Sequence, residues 1–378
     1  MIWAAKRLED ICSLKTGKLD SNAAVPNGQF PFFTCAQETF RIDKAAFDSE
    51  AVLLGGNNAA GVYPLKYFNG ECNAYQRTYV IESIDRKILS IRFLYYSLQQ
   101  SLSHFQSVSI GAATQYLTKS ILNNFKVVLP PIGIQESIVN TLSAYDDLIE
   151  NNLRRMALLE DSARLLYNEW FVRLRFPGYE HTRIIDGVPD GWEQKTLSDL
   201  CKEIRELVLP NSLEPDTPYI GLEHIPRRSI ALNDWGKVEQ VTSSKSRFRA
   251  GEILFGKIRP YFHKVGVTFV DGVASSDAIV IRPVDEKLHG LVLMTMSSDK
   301  FVAVTAQQMK EGSKMPRADW KQMQAYSVPL PPSGLLSSFD DVIQPIIAQL
   351  KSLTFANQKL RSARDLLLLR LMSGEIAV

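Results

Sequence analysis

The chain has 378 residues, 45% hydrophobic and 22% charged, apolar material for two or three globular cores at roughly 150 residues each. Lys and Arg total 43 against 41 Asp and Glu, a formal net charge of +2, so any nucleic-acid or membrane surface must be a local patch. No apolar run reaches the ~18 residues of a membrane span. The opening Met1-Ile2-Trp3-Ala4-Ala5-Lys6-Arg7 has the wrong charge order for a secretory signal, and Cys12, Cys35, Cys72 and Cys201 form no Cys-x-x-Cys pair. A cytoplasmic protein is expected.

In chain order, residues 1–131 open on Trp3 and Lys6-Arg7-Leu8-Glu9-Asp10-Ile11-Cys12. They are rich in Gly, Pro and β-branched or aromatic residues, with a predicted strand at Gln76–Ile81 and a predicted helix over 88–103. A loop, Ser109-Ile110-Gly111-Ala112-Ala113-Thr114-Gln115-Tyr116, precedes Val127-Val128-Leu129-Pro130-Pro131. From 132 the pattern turns helical. Ile138, Leu142, Tyr145, Ile149, Asn152, Met156, Leu159, Ala163, Leu166 and Trp170 follow alternating steps of four and three, a heptad seam with one polar member. Residues 132–185 are read as this helix and a linker.

Residues 186–332 form a second head, with a predicted strand at Asp277–Ile281, a predicted helix over 286–308 and a loop at Glu311–Arg317 before Leu330-Pro331-Pro332. Residues 333–378 carry a second seam: Phe339, Ile343, Ile346, Leu350, Leu353, Asn357, Leu360, Arg364, Leu367 and Leu371. Pro345 predicts a kink or restart there. If the helices pair antiparallel with ends aligned, Asn152 and Asn357 meet, either as a buried register-setting pair or each snorkelling at an edge.

The chain is written twice. Trp3 and Lys6–Cys12 recur as Trp192 and Lys195–Cys201; Val52-Leu53-Leu54-Gly55 recurs as Ile253-Leu254-Phe255-Gly256, and Ser162-Ala163-Arg164 as Ser362-Ala363-Arg364. The fold class expected is α+β: two tandem α+β domains, each followed by a long α-helix, the helices pairing as an antiparallel, pseudo-twofold coiled coil. Such a body suits two half-sites about one DNA turn (~34 Å) apart.

DNA-contact chemistry is sought in three places. Lys245, Arg247, Arg249, Lys257, Arg259 and Tyr261 lie in a basic stretch interleaved with aromatics, suited to phosphates or to an ordinary solvated surface. The first head offers Gln37, Arg41, Asn57, Asn58, Gln76 and Arg77, whose amides and guanidiniums can pair with purine edges but are common on any surface. The loops before each Leu-Pro-Pro add Thr114, Gln115 and Tyr116, then Lys314 and Arg317, either approaching a phosphate or merely connecting.

Two heads opening on Trp-x-x-Lys-x-Leu-x-Asp, each closing with a loop, Leu-Pro-Pro and a long helix, resemble the specificity (S) subunit of Type I restriction–modification systems. The family's Pro-Pro-x-x-x-Gln stands as Pro130-Pro131-Ile132-Gly133-Ile134-Gln135, while Pro331-Pro332 lacks the glutamine. Leu153–Phe171 and Leu366–Glu375 resemble its conserved regions. The resemblance implies target recognition domains at 1–131 and 186–332, each reading half of a split site in double-stranded DNA. It implies conserved helices that dock two methyltransferase (M) subunits, which bring S-adenosylmethionine, and restriction (R) subunits that use ATP and Mg2+. Rod length suggests a gap of about 5–8 unspecified base pairs. Arg154, Arg155, Glu160, Arg164 and the Trp170-Phe171 end are candidate M contacts, the aromatic pair alternatively being buried.

No catalytic constellation is found. There is no GxGxxG or P-loop spacing, and Asn-Pro-Pro-aromatic is absent. The histidines at 104, 181, 224, 263 and 289 are scattered, and Cys12 and Cys201 read as core residues of an apolar helix. No cofactor or metal is expected in this chain. The competing reading is a solitary S-like scaffold, or a protein-interaction module with two heads on a coiled coil.

Overall fold

The computed structural model of the chain describes residues 3–58, 62–111, 114–307 and 316–376. They divide into two compact units, Met1–Leu148 with Leu360–Val378, and Ile149–Lys359. Each unit holds one head and a piece of each long helix, so the division cuts the helices instead of following 131, 185 and 332.

The first unit is built on a six-stranded sheet ordered Cys12–Thr16, Thr78–Ser83, Phe47–Gly55, Leu65–Ala74, Phe30–Phe33, Phe40–Ile42. Neighbours are antiparallel except Phe30–Phe33 beside Leu65–Ala74. Ala51-Val52-Leu53-Leu54 is apolar without alternation because both faces of this strand are covered. Val52 and Leu54 join a core with Phe93, Leu94 and Tyr96, while Ala51 and Leu53 pack with Phe33, Cys72 and Val80. The helix expected over 88–103 spans Ile91–Gln100, capped by the Ser90 hydroxyl accepting from the Phe93 N–H.

The repeated signatures clasp each head. Ala4–Arg7 pairs antiparallel with Lys126–Leu129, and Glu193–Thr196 with Ser327–Leu330. Behind each opening strand comes a one-turn helix, Leu8–Ile11 or Leu197–Leu200, whose leucine at the first position is fully buried. Cys12 and Cys201 are core, as expected, but not helical: each begins the strand after that turn. Burial pushes both thiols up to about 12.

Besides two-stranded pairs, the second unit divides its strands between two larger sheets. One is Cys201–Ile204, Ala278–Pro283, Ile253–Gly256, Val265–Val267 in order; the other is Leu207–Val208, Lys245–Phe248, Gly272–Ala274, Pro218–Ile220, Gly236–Lys237. Cys201 and Ile253 are 52 residues apart where Cys12 and Val52 are 40 apart, and most of the second sheet's strands arise in this longer stretch. The helix expected over 286–308 is broken into His289–Met296 and Asp299–Gln307, because Ser298 turns to accept from the Phe301 N–H (3.2 Å). Gln308 lies outside the described residues.

The long helices are Ile132–Tyr167, 36 residues, and Ser333–Met372, 40 residues. Every seam residue on both is buried or half-buried. Pro345 neither breaks nor restarts its helix. It stands on the exposed face, where water can take the backbone carbonyl it leaves unpaired.

In the second unit Asn152 Nδ2 donates to Asn357 Oδ1 at 2.9 Å, and the Trp170 and Phe339 rings lie 5.7 Å apart. In the first, Arg364 Nη1 donates to Asp146 Oδ1 (2.6 Å), and Leu368 and Leu371 share a core with Ile138 and Leu142. Glu160 is not on an exposed face, as the sequence suggested. It is buried, accepting from the Ser229 hydroxyl (2.6 Å) and the Ile230 and Ala231 N–H groups (3.1 Å each), which ties the helix to the second head. Trp170 and Phe171 are likewise core.

Candidate nucleic-acid interface

In the first head the strand Phe47–Gly55 ends in Gly56, and the chain continues into a two-residue strand, Asn57–Asn58, that pairs with Gln115–Tyr116. Glycine is required at 56: a Cβ would sit 2.7 Å from the Arg77 carbonyl oxygen and 2.8 Å from the Tyr79 ring. The Gly56 N–H donates to that carbonyl (2.7 Å), and the Leu117 N–H donates to Gly56 O (2.8 Å). Gly111 turns the incoming chain with φ +126°, a left-handed value only glycine takes without strain.

This framing gathers Asn57, Asn58, Arg77, Gln115 and Tyr116 at one edge. The Arg77 guanidinium lies 5.2 Å from the Tyr116 ring centroid, in cation–π geometry. Gln115 Oε1 accepts from the Ser109 hydroxyl at 3.1 Å, and Asn57 Oδ1 is buried with no hydrogen-bond partner among the described residues. Gln76 is the exposed neighbour of Arg77, and Thr114 the half-buried neighbour of Gln115. Gln37 is exposed in the loop whose Cys35 thiol approaches Arg77 O at 3.5 Å. Arg41 stands apart on the sheet's edge strand, its guanidinium donating to the carbonyls of Gly28 (2.9 Å) and Gln29 (3.0 Å).

The second head repeats the frame. Ile258 bridges Arg317, the Lys257 N–H donates to Asp277 O (2.7 Å), and the Ala318 N–H donates to Lys257 O (2.9 Å). The Arg259 N–H reaches Pro316 O at 2.9 Å. Here the side chains are charged: Arg317 Nη2 stands 3.2 Å from Asp277 Oδ1, and Lys257 Nζ donates to Ser276 O at 3.0 Å. Arg227 stacks 4.2 Å from the Phe262 centroid, with Arg259 at 5.9 Å and the exposed Tyr261 ring edge-on to Phe262 at 5.0 Å. Lys314 lies outside the described residues.

The basic stretch does not form one patch. Lys245 is buried, its ammonium donating to the carbonyl (2.8 Å) and hydroxyl (2.7 Å) of Ser243, and burial lowers its pKa below the ordinary lysine value. It therefore has no surface to offer a phosphate. Arg247 is exposed beside Glu206 (3.2 Å), and Arg249 opens on a groove with His289, Asp340 and Lys351. Sequence reasoning missed Arg227 and Asp277. The offset of 201 that brackets Arg77 lands on Ala278, one residue past Asp277, and Arg227 carried no repeat signal.

Among the described residues no three His, Cys, Asp or Glu could together hold a metal, and no helix is long and apolar enough to cross a membrane. The sequence profile of the family described as Type I restriction modification DNA specificity domain matches residues 2–160 and again 189–359. The chain belongs to this family. The double match covers both heads and most of both long helices of this family member. Its relatives include the Type I restriction enzyme EcoDI specificity subunit of Escherichia coli, 28% identical across 87% of this chain and 78% of that one. The MjaIX specificity subunit of Methanocaldococcus jannaschii is 24% identical across 76% of this chain and 69% of that one. In fold the chain is similar to the crystal structure of a Type I system S subunit from M. genitalium, with TM-score 0.59, 16% identity and coverage of 98% and 96%.

Proposed function

We propose that this chain is the non-catalytic specificity subunit of a Type I restriction–modification complex. Its two heads, over 1–131 and 186–332, each bind one half of an asymmetric bipartite DNA site. One observation carries the reading beyond family membership: both heads build the same hydrogen-bonded edge and dress it with different DNA-competent side chains. Asn57, Asn58, Arg77, Gln115 and Tyr116 stand on one, Lys257, Arg259, Tyr261 and Arg317 on the other. A constant frame with variable side chains suits two readers of unlike half-sites. Gln37, Gln76, Thr114, Arg247 and Arg249 are flanking phosphate or base contacts in this reading.

The long helices pair antiparallel as a coiled coil, with Asn152 and Asn357 setting its register. Support comes from the amide hydrogen bond and from the buried seams. At ~1.5 Å per residue, helices of this length suit a gap of about 5–8 base pairs between half-sites. Their outer faces dock two M subunits in the cytoplasm; S-adenosylmethionine, ATP and Mg2+ belong to the M and R subunits.

Methylation mapping tests this. Genomic DNA from cells expressing the chain with its neighbouring methyltransferase is compared with DNA from cells lacking the chain. A split, asymmetric methyladenine motif that depends on the chain is expected. An unchanged methylome alongside an active methyltransferase would favour a protein-binding scaffold instead.

A further inference from the structure

The matched frames place two pairs of side chains at one address. Residue 116 bridges 57 as residue 317 bridges 258, and the carbonyls of 77 and 277 accept from the N–H groups of 56 and 257. At that address the first head has Arg77 against Tyr116, and the second has Arg317 against Asp277. Each head therefore presents one exposed arginine steadied by a side chain on the facing segment, with the two positions exchanged. Tyr116 steadies through its ring face, which takes no N–H of the guanidinium. Asp277 contacts Nη2 and leaves the other donors of a five-donor group.

We propose that Arg77 and Arg317 are the guanine-reading residues of the first and second heads, and that Asp277 and Tyr116 are their positioning residues. The inference rests on the DNA-recognition reading. A guanidinium that gives one Nη2 N–H to a carboxylate, or lies over an aromatic ring, keeps N–H groups on its other nitrogens for O6 and N7 of guanine in the major groove. Restricting the side chain beforehand also lowers the entropy lost on binding.

The test maps methylation motifs directed by the complete complex carrying single variants. The wild-type motif comes first, and its absence would count against the recognition reading itself. Given a split motif, Arg317→Ala is expected to make one G·C position of one half-site degenerate, with discrimination falling on the order of 10- to 100-fold. The other half stays unchanged. Arg77→Ala does the same in the opposite half. If either alanine variant fails to fold, Arg317→Lys or Arg77→Lys replaces it, since a lysine keeps the charge but not the fork, and the same degeneracy is expected. Asp277→Ala relaxes the base that Arg317→Ala relaxes, and Asp277→Glu restores it; a merely structural role would lower methylation without changing the motif. A half-site of A·T pairs only, an unchanged motif in folded variants, or loss spread evenly over both halves would each overturn the assignment.

Discussion

Gln135 is fully buried at the start of the first long helix, and its amide joins three backbone groups. Nε2 donates to the carbonyls of Ile88 (2.9 Å) and Pro130 (2.8 Å), and Oε1 accepts from the Ser90 N–H (3.0 Å). This explains the glutamine after the first Pro-Pro. The equivalent residue in the second copy is Leu336, which needs no polar partner because it joins the apolar core. Gln135→Leu should therefore take this partner from three backbone groups, of which the Pro130 carbonyl is buried, and destabilise by about 1–3 kcal/mol, read as a lower urea midpoint. A midpoint equal to wild type would show that water replaces the amide. At the same scale, His263 and His289 are held below the ordinary histidine pKa, first by burial. His263 faces Asp299, Arg228, Arg164 and the Ser297 carbonyl; His289 faces Asp340, Gln344 and the Gly251 carbonyl. A lowered folded pKa gives stability that is complete above the unfolded value of about 6.5 and is lost as pH falls through the folded one. Unfolding midpoints should fall as pH drops below about 6.5, and the His263→Gln, His289→Gln pair should flatten that slope. The charge of Lys245 was legible in the sequence; its burial was not, because a period-two strand does not say which face another sheet covers.

Among the elements, the helices were the most legible. A seam stepping by four and three over ten positions leaves one solution, and every member lies inward. The repeat was legible too, but not the strand pairs that close each head: Cys12 and Cys201 were expected in a helix, and each begins a strand instead. Less so was the second head's split sheet, since its extra strands pair across long separations that local pattern does not encode. The asparagine pair makes the proposed coiled coil testable. Asn357 is buried and Asn152 half-buried, so Asn357→Leu alone strands a polar partner and should cost about 1–3 kcal/mol. Adding Asn152→Leu should recover most of that loss, giving a coupling of 0.5 kcal/mol or more, at about the threshold where contacting residues depart from additivity. Additive losses in a urea double-mutant cycle would mean the two amides act independently.

For the molecule as a whole, a net charge of +2 limits what the free chain can do. Several of its exposed cations are already paired, Arg247 with Glu206, Arg317 with Asp277 and Lys237 with Asp216, so a phosphate contact at any of these must first open an ion pair. The slope of the logarithm of affinity against the logarithm of salt concentration is about −0.9 for each phosphate contacted, so binding by the free chain should be modest and weaken as salt rises. Sequence-specific affinity at physiological salt then has to come from partner subunits that add contacts of their own. Fluorescence anisotropy with a duplex carrying the mapped motif and a scrambled control, at about 50 and 200 mM salt, checks this. The free chain should discriminate weakly at both, and addition of the methyltransferase should create discrimination that survives the higher salt. Tight, selective binding by the chain alone at the higher salt would place the recognition energy in the heads, with the frame residues already ordered for the bases before any partner arrives.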